Sequence, residues 1–122
     1  MDAEIWARLQ QVVAAMEAKK AFHLLALDVS GKTSIADAFV ICSVASPRQA
    51  QAVADEVDRT LSQRGVHALS VEGYTLGTWI LMDYGDFVLH IFQEERREYY
   101  ALERLWGDAP DITGALRAVA VP

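Results

Sequence analysis

Asp83 and Asp86 are the residues whose type and spacing most invite a chemical reading. Two nearby carboxylates could hold divalent cations against substrate phosphates, as in two-metal phosphoryl-transfer sites. Such sites need clustered acids, and this stretch offers neither an adjacent D-x-D pair nor a third strong acid at local spacing. Gly31-Lys32-Thr33 has the ending of a phosphate loop, G-x-x-x-x-G-K-[ST], but Ala26 stands where its first glycine belongs. The single cysteine, Cys42, could in principle act as a nucleophile with His23, His67 or His90 as base. Flanked by Val40, Ile41 and Val44, it reads instead as inert packing. The three histidines lie far apart and form no metal-spaced pair with one another or with Cys42. Asp37 precedes an apolar run, where it either caps a turn or faces solvent; no catalytic partner for it can be named. The expectation is a protein that binds, with no catalytic residue, metal or cofactor. An enzyme acting on nucleotides or phosphate esters beside Asp83 and Asp86 is the competing reading.

The bulk properties fit binding to protein rather than to nucleic acid. The formal net charge is −6, from 17 acidic against 11 basic residues. Gripping a phosphate backbone calls for a basic surface. Here the densest basic pair, Arg96-Arg97, is hemmed in by Glu94, Glu95 and Glu98. An acidic chain suits a basic protein partner, toward which its field steers encounter. No apolar run approaches the roughly 20 residues that span a bilayer. The acidic start, Met1-Asp2-Ala3-Glu4, is unlike a secretory signal. Together with a lone cysteine, these features predict a reducing cytoplasmic setting and no membrane partner.

The elements that must position these residues follow from periodicity. Ile5, Leu9, Val12, Val13 and Met16 form one helical stripe over residues 3–18. Phe22 to Val29 is β-like. Phe39 to Val44 is an unbroken apolar strand, expected to be covered on both faces. Ser46-Pro47-Arg48-Gln49 is a helix start with an N-cap, a first-turn proline and an S-x-x-Q capping box; Gly65 marks the stop. Val66 to Val71 is predicted as the next strand, making a crossover that implies a partly parallel sheet. Thr78 to Tyr84 and Phe87 to Gln93 form a hairpin, and Glu94 to Trp106 a last helix with Tyr99, Leu102 and Trp106 on one face. The expected fold is α/β, a mixed five-stranded sheet flanked by helices. It occupies a single domain over residues 1–110, with 111–122 as a C-terminal tail.

Alternation divides the hairpin into two faces. Pairing Asp83 with Asp86 across a Tyr84-Gly85 loop puts Ile80, Met82, Phe87, Leu89 and Ile91 on one wholly apolar face. Trp79, Leu81, Asp83, Asp86, Val88 and His90 share the other, with His90 opposite Trp79. A one-residue shift would instead send His90 to the core, and Tyr is a poor choice for the φ > 0 position of a tight turn. The mixed face is either covered by a helix or is an interface with an apolar anchor and an acidic rim. Asp83 and Asp86 would be costly under a helix without partners.

Several of these segments recur as an ordered set: Asp37-Ala-Phe-Val-Ile-Cys42, Ser46-Pro-Arg-Gln49, Ala54-Asp-Glu-Val57, Glu72-Gly73, Trp79-Ile-Leu-Met-Asp-Tyr-Gly-Asp86, Val88-Leu-His90 and Leu102-Glu-Arg-Leu-Trp106. From about Leu27 to Pro110 the chain closely resembles the ribosomal silencing factor family (RsfS, or Iojap-like). The resemblance implies a nucleotidyltransferase-like fold lacking that superfamily's catalytic acids. It also implies binding to the large ribosomal subunit at its ribosomal protein fourteen, obstruction of subunit joining, and lowered translation when nutrients are scarce. An assembly role on the large subunit is the alternative, and a homodimer away from the ribosome is a further implied state. Carried over by position, the binding surface falls on Trp79, Leu81, Asp83, Tyr84 and Asp86, then Glu72 and His90. Two departures stand out. Ala38 replaces the family's usual aromatic, and Ser43-Val44-Ala45 replaces a small residue and glycine.

Overall fold

The computed structural model describes residues 1–100, 104 and 106–118. Helix α1 (Ala3–Ala18) opens at Asp2, whose side chain accepts the Glu4 N–H at 2.6 Å. Strands β1 (Phe22–Asp28) and β2 (Ala38–Val44) follow, then helix α2 (Pro47–Ser62) and the short strand β3 (Ser70–Glu72). The hairpin is β4 (Trp79–Asp83) and β5 (Phe87–Gln93), running directly into α3 (Glu94–Tyr100); α4 (Thr113–Arg117) comes last. The sheet order is β1-β2-β5-β4-β3. Among the described residues only β2 and β5 pair in parallel, from Ala38↔Phe87 to Val44↔Gln93, so the sheet is mixed, five-stranded and α/β as expected. Among the described residues no helix is long and apolar enough to cross a membrane.

The α2 start behaves as its residues dictate, with one elaboration. Ser46 Oγ accepts the Gln49 N–H at 3.1 Å. The Gln49 side chain reaches back to the Ala45 N–H (2.7 Å) rather than to that of Ser46. Its amide also donates to the carbonyls of Lys19 and Lys20. Gln49 thereby ties the start of α2 to the end of α1, where Lys20 takes a left-handed φ of 65°.

One face of the sheet carries α1 and α2. Leu9, Val12 and Met16 of α1 and Val53, Val57 and Leu61 of α2 pack with Val40, Ile80, Met82, Leu89 and Ile91. The opposite face holds a smaller cluster of Leu27, Val29, Ala36, Phe39, Val88 and Ala109, with Leu25, Leu81 and Trp106 partly buried against it. All seven residues of β2 are buried, since both faces cover it.

Two expectations need correction, and one falls partly outside the described residues. The predicted strand over Val66 to Val71 is reduced to Ser70–Glu72, because only there does the chain run alongside β4. Within the described residues the last helix covers Glu94–Tyr100, Arg104 is also helical, and Trp106 lies in a turn closed by Ala109 N–H to Trp106 C=O at 2.9 Å. The expected shared face of Tyr99, Leu102 and Trp106 falls partly outside the described residues. Finally, residues 111–118 pack onto the domain instead of trailing from it. Thr113 Oγ1 accepts the Ala26 N–H at 2.8 Å, Ile112 N–H donates to Ala26 C=O at 2.9 Å, and Leu116 is buried in the main core.

Candidate functional site

The hairpin turn differs from the predicted one, and a glycine explains why. The strands pair as Trp79↔Phe92, Ile80↔Ile91, Leu81↔His90, Met82↔Leu89 and Asp83↔Val88. Tyr84 N–H donates to Phe87 C=O at 3.0 Å, leaving Gly85-Asp86 as the loop. Gly85 adopts φ 86°, the left-handed conformation that II′-type hairpin turns require first in the loop and that glycine adopts without strain. The register is therefore displaced by two residues from the Asp83–Asp86 pairing. An even displacement preserves the division into faces. Ile80, Met82, Leu89 and Ile91 still point to the helices, while Trp79, Leu81, Asp83, Val88 and His90 share the other side.

On that side the candidate residues take unequal positions. Trp79 is half-buried and stacks on Phe92 with ring centroids 4.9 Å apart. Its indole N–H donates to His90 Nδ1 at 3.1 Å, although His90 lies opposite Leu81 rather than Trp79 as predicted. His90 is 7% exposed and meets Phe39 edge-on, so it supports the layer from within. Burial lowers its pKa to about 4, and the neutral ring is the form that accepts the indole proton. Leu81 is half-buried between His90 and Glu72, its cross-strand neighbours. Asp83 is half-buried and Asp86 and Glu72 are exposed; none of the three has an ion pair among the described residues. Asp83 Oδ1 accepts the Gly85 N–H at 2.8 Å, so it also braces the turn. Tyr84 departs from expectation. Just past the end of β4 and paired with Phe87 ahead of the loop, it faces the helices, 8% exposed and stacked on Phe87, with its hydroxyl pushed up to about 12 by burial and then by the charge of Asp58.

The arrangement is thus an apolar centre of Leu81 and Trp79 rimmed by Glu72, Asp83 and Asp86. The family described as "ribosomal silencing factor during starvation" matches residues 2–121, nearly the whole chain. The chain belongs to the ribosomal silencing factor family. A ribosomal silencing factor RsfS of Halalkalibacterium halodurans is 43% identical over 104 residues, spanning 85% of this chain and 89% of that protein. A crystal structure of a Chromobacterium violaceum protein overlays with a TM-score of 0.82 at 33% identity, covering 88% of each chain. A mouse protein named "mitochondrial assembly of ribosomal large subunit protein 1" is 28% identical over 101 residues, 80% of this chain and 44% of that protein.

The family name is that of a silencing factor and not of an enzyme, and the remaining chemical candidates take structural places in this chain. Cys42 is fully buried, and burial pushes its thiol up to about 12, far from a reactive thiolate. Lys32 pairs with Asp108 at 2.8 Å. The Asp37 N–H donates to Asp86 C=O at 2.8 Å, fastening the β1–β2 loop to the hairpin turn. Sequence reasoning missed Phe92 and Phe39 as parts of the ring layer; alternation along β5 puts Phe92 on the face of His90, whereas Phe39 arrives from β2. It also missed a polar node built on the buried Ser43 and Arg97. Arg97 donates to His23 C=O and to Ser43 Oγ (2.9 Å), while Glu94 accepts from Ser43 (3.0 Å) and meets His23 Nδ1 at 2.5 Å. Local spacing carries no signal for contacts between residues more than fifty positions apart.

Proposed function

We propose that this silencing factor binds the large ribosomal subunit at its ribosomal protein fourteen, and by occupying that place blocks joining of the small subunit and lowers translation under nutrient limitation. The observation that carries the reading is the outer face of the β3–β4 pair, where Leu81 and Trp79 offer apolar surface amid Glu72, Asp83 and Asp86. Carboxylates with no ion pair among the described residues fit a basic partner, giving orientation and faster encounter, while the apolar centre supplies desolvated contact. The name of the mouse relative supports the large subunit as the binding target. That name also supports a second reading, in which the bound state serves large-subunit maturation. Tyr84 and His90 enter the proposal as supports beneath the surface. A homodimer away from the ribosome remains part of the proposal.

The test is cosedimentation with purified large subunits, followed by a joining assay with small subunits. The wild-type chain is expected to bind and to prevent joining. Leu81→Ala and Trp79→Ala are each expected to weaken binding by about 2 kcal/mol, the scale of interface anchors. A wild-type chain that does not bind, or that binds while joining proceeds normally, would overturn the proposal.

A further inference from the structure

Strand β3 closes one side of the sheet, and among the described residues its backbone bonds run only to β4. The hairpin decides which of its groups face outward. Tyr84 N–H donates to Phe87 C=O and Gln93 N–H to Thr78 C=O, so Ile80 and Met82 direct their backbone groups toward β5. Backbone groups alternate along an antiparallel strand, leaving those of Leu81 and Asp83 for β3. The Leu69 N–H, donating to Asp83 C=O at 2.7 Å, agrees. Ser70 and Glu72 stand opposite Asp83 and Leu81, so Val71 turns both its N–H and its C=O away from the sheet.

The side chains around that edge are unusual for a surface. Leu69 is 74% exposed, Leu76 72%, Val71 44% and Tyr74 39%, four of the six large apolar residues exposed among those described. Natural edges are commonly blunted with lysine or proline. Leu69 to Leu76 contains neither, and Glu72 is its one charge. Carboxylates flank the edge on both sides: Glu72, Asp83 and Asp86 on the outer face, Asp55 and Asp58 on α2. Asp55 reaches the edge through the Tyr74 hydroxyl at 2.9 Å. None of the five has an ion pair among the described residues.

We propose that β3 is a strand-addition site: an extended segment of a basic protein pairs with Val71 and continues the sheet as a sixth strand. Its alternate side chains would lie over Leu69, Val71 and Leu76 on one side and over Glu72 and Leu81 on the other, with lysine or arginine meeting the five carboxylates. The inference rests on the docking surface proposed above, because Glu72 pairs with Leu81 and makes edge and face continuous. A second copy fits less well, since it would bring the same carboxylates together.

Amide hydrogen exchange tests this without altering the chain. In the free protein the Val71 amide exchanges rapidly; with purified large subunits it should slow at least tenfold. Val71→Pro gives a second arm, because its N–H makes no bond within the sheet and proline is tolerated at such edge positions. It should melt as wild type yet bind large subunits at least tenfold more weakly than wild type and more weakly than Val71→Ala, which shortens the side chain but keeps the N–H; Val71→Pro binding as well as Val71→Ala would overturn the edge inference. Binding by wild type that weakens with Leu81→Ala while Val71 exchange is unchanged would overturn the edge inference and leave the docking surface standing. Absence of wild-type binding would overturn both. Val71 protection that grows with the concentration of the chain alone would assign the edge to a second copy and overturn the basic partner.

Discussion

His90 Nδ1 accepts a hydrogen bond from the indole N–H of Trp79 at 3.1 Å, and the ring must be neutral to do so. Burial holds its pKa at about 4, against 6.5 in an unfolded chain. Between those values the unfolded state binds more protons than the folded one. The stability due to neutral His90 is complete above pH 6.5 and is lost as pH falls toward 4. Denaturant titrations should therefore show stability declining across that window, by at most roughly 3 kcal/mol. His90→Gln keeps an acceptor and loses the titration, so its profile should be flatter; a profile as steep as wild type would rule out His90 as the origin. Alternation placed His90 beside Trp79 and Leu81, but its burial depends on Phe39 and Phe92, which arrive from β2 and from the far end of β5. Tyr84 shows the reverse problem. A reading that puts Tyr84 in the loop overlooks that Gly85 must come first there, and one displaced pair turns a supposed surface ring into a core ring.

Among the elements, those with local signals were readable and those held by distant contacts were not. α2 announces itself through Ser46, Pro47 and Gln49, and its observed start is at Pro47. β3 and α4 have no such signals, because one exists through its register with β4 and the other through bonds to Ala26. The connection from β3 to β4 contains the tightest point of the site. Gly73 has φ 80°, and a Cβ there would lie 2.0 Å from the Trp79 carbonyl oxygen. Gly73→Ala is thus doubly opposed, by backbone conformation and by contact with a backbone atom that cannot swing aside. We expect a loss of about 2 kcal/mol or more in chemical denaturation, together with weaker large-subunit binding through displacement of Trp79. Unchanged stability would mean that the turn relaxes freely and does not position the strand.

At the scale of the molecule, an excess of acid is expressed at one end of the sheet, where Asp83, Asp86 and Glu72 surround the proposed surface. Asp86 tests steering more cleanly than Asp83, whose carboxylate also holds the Gly85 N–H. Asp86→Lys should slow association with large subunits about tenfold at low salt, and the difference should shrink as ionic strength passes about 0.15 M. A salt-independent deficit would point to lost contact rather than lost steering. The strand order has a consequence of another kind, for synthesis. β5 lies at the centre of the sheet, between β2 and β4, yet it is the last strand of the sheet to be made. While the chain is being translated, β1 and β2 can pair as soon as they emerge, but β3 must wait for β4 and neither half has a seam to join until Phe87–Gln93 appears. A chain interrupted before that point carries two open sheet borders, and the final strand converts them into one structure in a single step.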